Sequence, residues 1–192
     1  MPIVLTDICK SYGDNSVLDR FNCRIDDGAV TCLMGPSGQG KTTLLRLMLG
    51  LEKPDSGRIS GLENLRNSVV FQEDRLCENM SAGSNIRIVC NKPPKTGDIF
   101  DAMSALDLSP DCVKQTVRSM SGGQRRRVAI LRALIAEYDV LFMDEPFKEL
   151  DTTTKEKVML YTKEQSRGKT VIFITHDITE CDIMGGKVIH LL

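Results

Sequence analysis

Apolar residues along this chain fall into two periods. Short runs rich in Val, Ile and Phe at 29–34 (AVTCLM), 68–71 (SVVF), 140–143 (VLFM), 170–175 (TVIFIT) and 187–192 (KVIHLL) read as strands. Several are apolar on both faces, as strands covered on both sides of a parallel sheet are. Helical spacing appears between them, over 41–50 (KTTLLRLMLG), about 122–137 and 152–167 (TTTKEKVMLYTKEQSR). Alternation of this kind predicts an α/β domain with a mainly parallel sheet.

Two stretches depart from the rhythm. IVLTDICKSYG and VLDRFNCRID read as strand, turn and strand, so an antiparallel flap is expected ahead of the core. Residues 73–120 hold a loop, NKPPKTGD, and a short helix, IFDAMSALDL. With the helix that follows, they are expected to form an inserted helical subdomain over about 73–137. The core is then about 1–72 and 138–192, within one domain.

Composition narrows the function. The 192 residues carry 25 Lys and Arg against 26 Asp and Glu, a net charge of -1. That balance argues against a nucleic acid held by bulk charge, and the cluster Arg125 to Arg127 is too small to reverse it. Seven scattered cysteines with no C-x-x-C pair read as free thiols of a reducing compartment, not as a disulfide frame or zinc site. The start, MPIVLTDICK, shows no secretory leader, and no apolar run approaches a membrane span. A soluble or peripheral protein is expected.

The chemistry begins at GPSGQGKT, which fits G-x-x-x-x-G-K-[ST] between a predicted strand and a predicted helix. Gly35, Pro36, Ser37, Gly38, Gln39 and Gly40 let the backbone curl so that several N–H groups face one anion, and the helix N-terminus adds a favourable dipole. Lys41 then reaches the β and γ phosphates, Thr42 completes a Mg²⁺ shell, and Thr43 follows in the same turn. The competing reading is a glycine-rich turn with a surface lysine. DVLFMDEP ends an apolar strand in two acids: Asp144 is placed to hold Mg²⁺, and Glu145 to orient and deprotonate water.

Three single residues carry two readings each. His176, ending FITHD, can donate to a γ-phosphate oxygen or be a plain loop histidine. Gln72, ending SVVFQ, can touch Mg²⁺ or the attacking water, or be polar surface. Tyr12 in KSYG can stack on adenine or simply occupy a loop. SMSGGQRRRVAI poses a different question, because two adjacent glycines cost about 1 kcal/mol each inside a helix. They are better explained by backbone approaching an anion.

Taken in order, KSYG, GPSGQGKTT, VVFQE, MSGGQRRRVAILRAL, VLFMDEP, ELD and ITHD closely resemble the ATP-binding cassette (ABC) ATPases, from about Tyr12 to Asp177. The resemblance implies a P-loop NTPase fold, with ATP and Mg²⁺ as ligands. It assigns Ser121, Gly122, Gly123 and Gln124 to the γ-phosphate of a nucleotide held by a second copy, hence a head-to-tail homodimer with two ATP at its interface. By the same resemblance Tyr12 is similar to the adenine-stacking aromatic, Gln72 to the residue coupling the site to a membrane partner, Glu145 to the catalytic base, His176 to the switch histidine and Asp151 to the D-loop aspartate.

Met120 stands where leucine is usual, and Lys148 and Glu149 replace a small Ser-Ala pair at the dimer contact. Lys41 and Gln72 lie closer together than is usual, so a trimmed flap is expected. FQEDRL is similar to cassettes of nitrate, sulfonate and taurine importers, and an absent carboxy-terminal extension argues against the sugar and maltose type. The implied function is ATP hydrolysis powering solute uptake through separate transmembrane subunits, with a solute-binding protein, on the cytoplasmic face of the membrane. Alternatives are a soluble ABC ATPase of DNA repair or translation, which usually carries heptad insertions or a second cassette, a nucleotide-gated scaffold, and a P-loop kinase, which lacks SGGQ.

Overall fold

The computed structural model describes residues 1–191. Strands β1 (Ile3–Tyr12), β2 (Asn15–Ile25) and β3 (Val30–Met34) lead into helix α1 (Lys41–Met48), then β4 (Ser56–Ser60) and β5 (Asn67–Val70). A helical stretch follows: α2 (Ala82–Arg87), α3 (Thr96–Ala105), two 3₁₀ turns at Pro110–Lys114 and Val117–Ser119, and α4 (Gly122–Ile135). The chain then alternates through β6 (Val140–Asp144), α5 (Thr152–Gln165), β7 (Thr170–Ile174), α6 (Ile178–Met184) and β8 (Lys187–His190). One sheet is antiparallel, in the order β2-β1-β4; the other is parallel, in the order β5-β6-β7-β3-β8.

Period two in the parallel strands explains this architecture. Every residue of β6 and β7 is buried, but alternate side chains enter different cores. Cys32, Leu141, Met143, Val171 and Phe173 join Ile86, Ile99, Met103, Val128, Leu131 and Val158 under the helices. Leu33, Val140, Phe142, Ile172 and Ile174 join Leu44, Leu45 and Met48 of α1, with Ile3, Leu5, Ile8 and Leu18 of the antiparallel sheet. The sheet is therefore the wall between two apolar layers, each fully buried Leu or Phe contributing about 1.5–3 kcal/mol. Its strand ends at the α1 side are fixed from both faces, which is what a site built on loops requires.

The α/β fold with an antiparallel N-terminal sheet agrees with the sequence expectation, and it departs in four places. β4 adds a third strand to the flap; SGRIS has one apolar residue and lies half in solvent at the sheet edge, so no alternation marks it. α3 begins at Thr96, inside the expected loop, because the Asp98 carboxylate accepts from the Lys95 N–H at 3.1 Å and caps the first turn. α6 is a two-turn helix between Asp177 and Gly185, whose φ of 72° ends it. The fourth is a correction to the reading of seven free thiols. Cys32 of β3 and Cys181 of α6 are joined as a disulfide, with Cα atoms 6.1 Å apart, and the other five cysteines are free. Burial on one sheet face brings the pair together over a sequence separation of 149, which spacing cannot reveal.

Asp177 caps α6, accepting from the Thr179 N–H at 3.0 Å and its hydroxyl at 2.7 Å, and from Lys155 of α5 at 2.9 Å. The Thr179 hydroxyl first, then Lys155, hold its carboxyl down at about 2 against an ordinary 3.8. A carboxylate depressed in the folded state adds stability above its unfolded value and loses it as pH falls through the folded one. The stability advantage of the parent chain over Asp177→Asn is therefore full above pH 3.8 and vanishes as pH falls through about 2. Urea unfolding across that range reads it, and a gap constant with pH would contradict the assignment. Phe142→Ala, which opens a cavity in the α1-side core, lowers unfolding free energy by about 3–5 kcal/mol; a loss under 1 kcal/mol, roughly the scale of a volume-conserving swap, would show that the core does not depend on that ring.

Candidate nucleotide site

β3 ends at Met34 and α1 begins at Lys41, so residues 35–40 must reverse the backbone in six positions. Two glycines are required by contact. A Cβ on Gly35 would lie 2.6 Å from the Leu191 carbonyl oxygen, and one on Gly40, whose φ is 80°, 2.7 Å from Val17 Cγ1. Gln39 turns its Oε1 inward beside Gly35, without a hydrogen-bond partner among the described residues. Lys41 arches back over the loop and donates to the Gly35 and Pro36 carbonyls, both at 2.7 Å. An ammonium has three donors, so one remains for an anion.

This loop walls a cleft of about 330 Å³. Ser37, Gly38, Gly40, Lys41, Thr42 and Thr43 line one side; Gln72, Asp144, Glu145 and Val17 line others. β6 brings the acids here because it lies one strand from β3, across β7. Thr42 Oγ1 donates to Asp144 Oδ2 at 2.9 Å, joining the loop to the acidic strand end. Burial pushes the Asp144 carboxyl above its ordinary value, opposed by the Thr42 hydroxyl and reinforced by the Glu145 charge. A cation would relieve that penalty. Thr42 hydroxyl, Asp144 carboxylate and Gln72 amide are hard oxygen donors of the kind Mg²⁺ takes, one carboxylate sufficing where phosphates complete the shell.

Glu145 sits at the hinge of the arrangement. Its φ is 46°, a left-handed conformation costing about 1–3 kcal/mol for a non-glycine residue. The strain is held from both sides: the Glu145 N–H donates to the Ile174 carbonyl at 3.0 Å, and its own carbonyl accepts from Arg126 at 2.6 Å. Its carboxylate lies 3.3 Å from Lys148 Nζ and 3.8 Å from His176 Nδ1. His176 is mostly exposed and lines, with Glu145 and Lys148, a smaller cleft of about 210 Å³.

Other expected residues lie away from the main cleft. Tyr12, half exposed, binds Glu52 through its hydroxyl and carries Lys10 5.5 Å from its ring centre; Val17, not Tyr12, lines the cleft. Ser121 is the N-cap of α4, in a reciprocal capping box: its hydroxyl accepts from the Gln124 N–H at 3.3 Å, and its N–H donates to Gln124 Oε1 at 2.9 Å. Gly122 and Gly123 follow, facing Glu149 and Leu150 closely enough that a Cβ would lie 3.5 and 3.7 Å from them. Asp151 caps α5 through the Thr154 N–H at 3.0 Å, which with the Thr154 hydroxyl lowers its carboxyl pKa. None of Ser121–Gln124 or Asp151 lines the cleft of its own chain.

Two residues that the sequence reading did not place, Val17 and Arg126, stand close to the chemistry, and Lys148, expected at the dimer contact, pairs with Glu145. Arg126 is buried and bonded to the strand ends on both sides of the cleft. In sequence it was one of three adjacent arginines, readable only as charge.

Comparison with known proteins adds to the geometry. The profile described as ABC transporter matches residues 18–148. Across its whole length the chain is 34% identical to a probable sulfate/thiosulfate import ATP-binding protein, CysA, of Chlorella vulgaris, covering 87% of that relative. It is 35% identical to the aliphatic sulfonates import ATP-binding protein SsuB 3 of Rhodococcus jostii, covering all of this chain and 71% of that one. Against the Fe(3+) ions import ATP-binding protein FbpC 1 of Haemophilus influenzae it is 35% identical over 97% of its length, but spans 62% of that relative.

A solved dimeric, post-hydrolysis state of the ATP-binding cassette MJ0796, bound to ADP and Pi, matches with a TM-score of 0.85 at 27% identity, over 98% of this chain and 94% of that one. The architecture is thus the α/β P-loop fold of ATP-binding cassettes. Matched by the family's profile over most of its sequence and by a solved cassette over nearly all of its fold, this chain belongs to the ABC transporter family.

Proposed function

We propose that this chain binds and hydrolyses ATP as the motor subunit of an importer, working as a homodimer on the cytoplasmic face of separate transmembrane subunits served by a solute-binding protein. The observation that carries the reading is the single cleft in which the glycine loop, Lys41, Thr42 and Asp144 meet Glu145. Among the described residues no helix is long and apolar enough to cross a membrane, and in this reading the transport path belongs to other subunits. The relatives are named as import proteins, for sulfate/thiosulfate, sulfonates and Fe(3+). Identity is 34–35% to the sulfate/thiosulfate, sulfonate and Fe(3+) relatives alike, so they favour uptake and not one solute.

In this reading the N–H groups of residues 38–43 and the spare donor of Lys41 hold the phosphates. Thr42, Asp144 and Gln72 would hold Mg²⁺, which when bound would neutralise phosphate charge. Glu145 Oε accepts a proton from the attacking water, and His176 donates to the γ-phosphate. Tyr12 stacks on adenine once its ring turns from Glu52. The amides of Ser121, Gly122 and Gly123 and the Gln124 side chain complete the γ-phosphate shell of the opposing copy, with Asp151 lining the contact. Gln72, on the exposed segment after β5, passes the nucleotide state to the membrane subunits. Lys148 must leave Glu145 for the carboxylate to reach water, so the pair is a contact of the resting chain.

Glu145→Gln keeps ATP affinity within about threefold, lowers kcat by about 10²–10⁴-fold, and accumulates an ATP-bound dimer seen by size-exclusion chromatography with light scattering. A variant that stays monomeric at ATP and Mg²⁺ concentrations far above Kd would sink the shared-site mechanism. Lys41→Ala loses a charge-assisted bond of about 1.5–3 kcal/mol, roughly 10- to 100-fold in ATP affinity. Unchanged affinity by fluorescence titration would reject its role.

A further inference from the structure

The arginine triplet after Ser121–Gln124, the SGGQ signature segment that opens α4, is not absorbed by the reading above, and its middle member is the most heavily bonded side chain near the site. The Arg126 side chain is 5% exposed. Its Nε donates to the Pro146 carbonyl at 2.9 Å, Nη2 to the Asp144 and Glu145 carbonyls at 3.1 and 2.6 Å, and Nη1 to the Phe71 and Gln72 carbonyls at 2.6 and 3.2 Å. Among the described residues the single carboxylate paired with it is that of Asp74, 3.2 Å from Nη1. One guanidinium thus grips the two backbone segments that carry Gln72 and Glu145. A planar fork with five N–H donors can face both at once; an ammonium on a flexible stem cannot.

We propose that Arg126 is a positioning residue that ties Gln72 and Glu145 to the signature helix α4, so that occupation of Ser121 by the opposing copy's nucleotide sets the geometry of this chain's own site. The role rests on the shared-site reading. Arg126 lies four residues after Gly122, one turn along the same helix and about 6 Å along its axis. A short helix moves as a unit, so a displacement at its N-terminus arrives at the guanidinium undiminished. The grip has a second point: Arg132, further along α4, donates to the Asp74 and Arg75 carbonyls at 3.2 and 3.0 Å. Residues 71–75 therefore follow α4 as well as β5.

Glu145 shows why positioning is needed. Its left-handed φ of 46° is not what a glutamate adopts freely, and the shortest bond to its backbone is the one from Arg126. Without the guanidinium the peptide after Asp144 relaxes and the carboxylate swings from the line a water must take. Gln72 loses its anchor at the same time. Binding of ATP, which uses the glycine loop and Lys41, is not touched.

The test compares the full-length parent, Arg126→Lys and Arg126→Gln in ATP binding, steady-state hydrolysis and ATP-driven dimerisation. Arg126→Lys is expected to fold, to bind ATP within about threefold of the parent, and to lose about 10²-fold in kcat with KM unchanged. Two coupled sites in one dimer predict a sigmoidal dependence of rate on ATP in the parent; in Arg126→Lys that dependence becomes hyperbolic, a change that mere loss of folded protein would not produce. In a Glu145→Gln background, Arg126→Lys still forms the ATP dimer.

A parent-like kcat and cooperativity in Arg126→Lys, alongside an intact Glu145→Gln dimer, overturns this role alone. Absence of that dimer with Arg126 unaltered overturns the shared-site reading and this role with it. Should both Arg126 variants fail to fold, hydrogen exchange on Glu145→Gln decides. Protection gained by residues 71–75 only when 121–126 are protected in the ATP dimer supports the role. Protection of 71–75 by ATP in the monomer removes it.

Discussion

The hydrogen bond from Thr42 to Asp144, 2.9 Å across the mouth of the sheet, is the contact on which the site depends. It joins a loop specified by glycines to a strand specified by continuous burial, two segments a hundred residues apart in the chain. Neither can place a cation by itself. They meet because β3 and β6 flank β7 in a parallel sheet, so the carboxyl ends of all three open on one edge. That edge is rigid because alternate residues of the same strands anchor it in two separate apolar layers.

The buried strands and the glycine loop were legible because their signals are local: uniform apolarity over five residues, a fixed spacing of Gly, Lys and Thr, two acids at a strand end. Other features depend on what the fold brings together. β4 contains one apolar residue and exists because β1 offers it an edge. Nothing near Cys32 in sequence announces Cys181. Arg126 reads as surface charge in a basic helix, yet it is buried against carbonyls from two segments, 71–72 and 144–146, that only the finished fold brings together. Val17 lines the cleft from the flap, a position that alternation marks merely as half-buried.

The signature helix poses the reverse case. Its glycines looked expensive, and the structure shows how the expense is contained. Ser121 and Gln124 close a capping box, satisfying two backbone donors reciprocally. A Cβ on Gly122 or Gly123 would meet Glu149 and Leu150 only at ordinary van der Waals range, 3.5 and 3.7 Å, so contacts within the chain do not require glycine at either position. The explanation that remains is the one from function: a tip stripped of side chains leaves its amides open to a second molecule.

The account as a whole claims that a nucleotide held by one copy is finished by the helix tip of another. The most direct measurement is a crystal structure of the Glu145→Gln protein with ATP and Mg²⁺. The expected result is a two-fold dimer with each γ-phosphate held by Lys41 of one copy and lying within about 3 Å of Ser121 in the other, the range of a hydrogen bond. Nucleotide bound at Lys41 in a closed dimer, with its γ-phosphate facing solvent and remote from every Ser121, would contradict it.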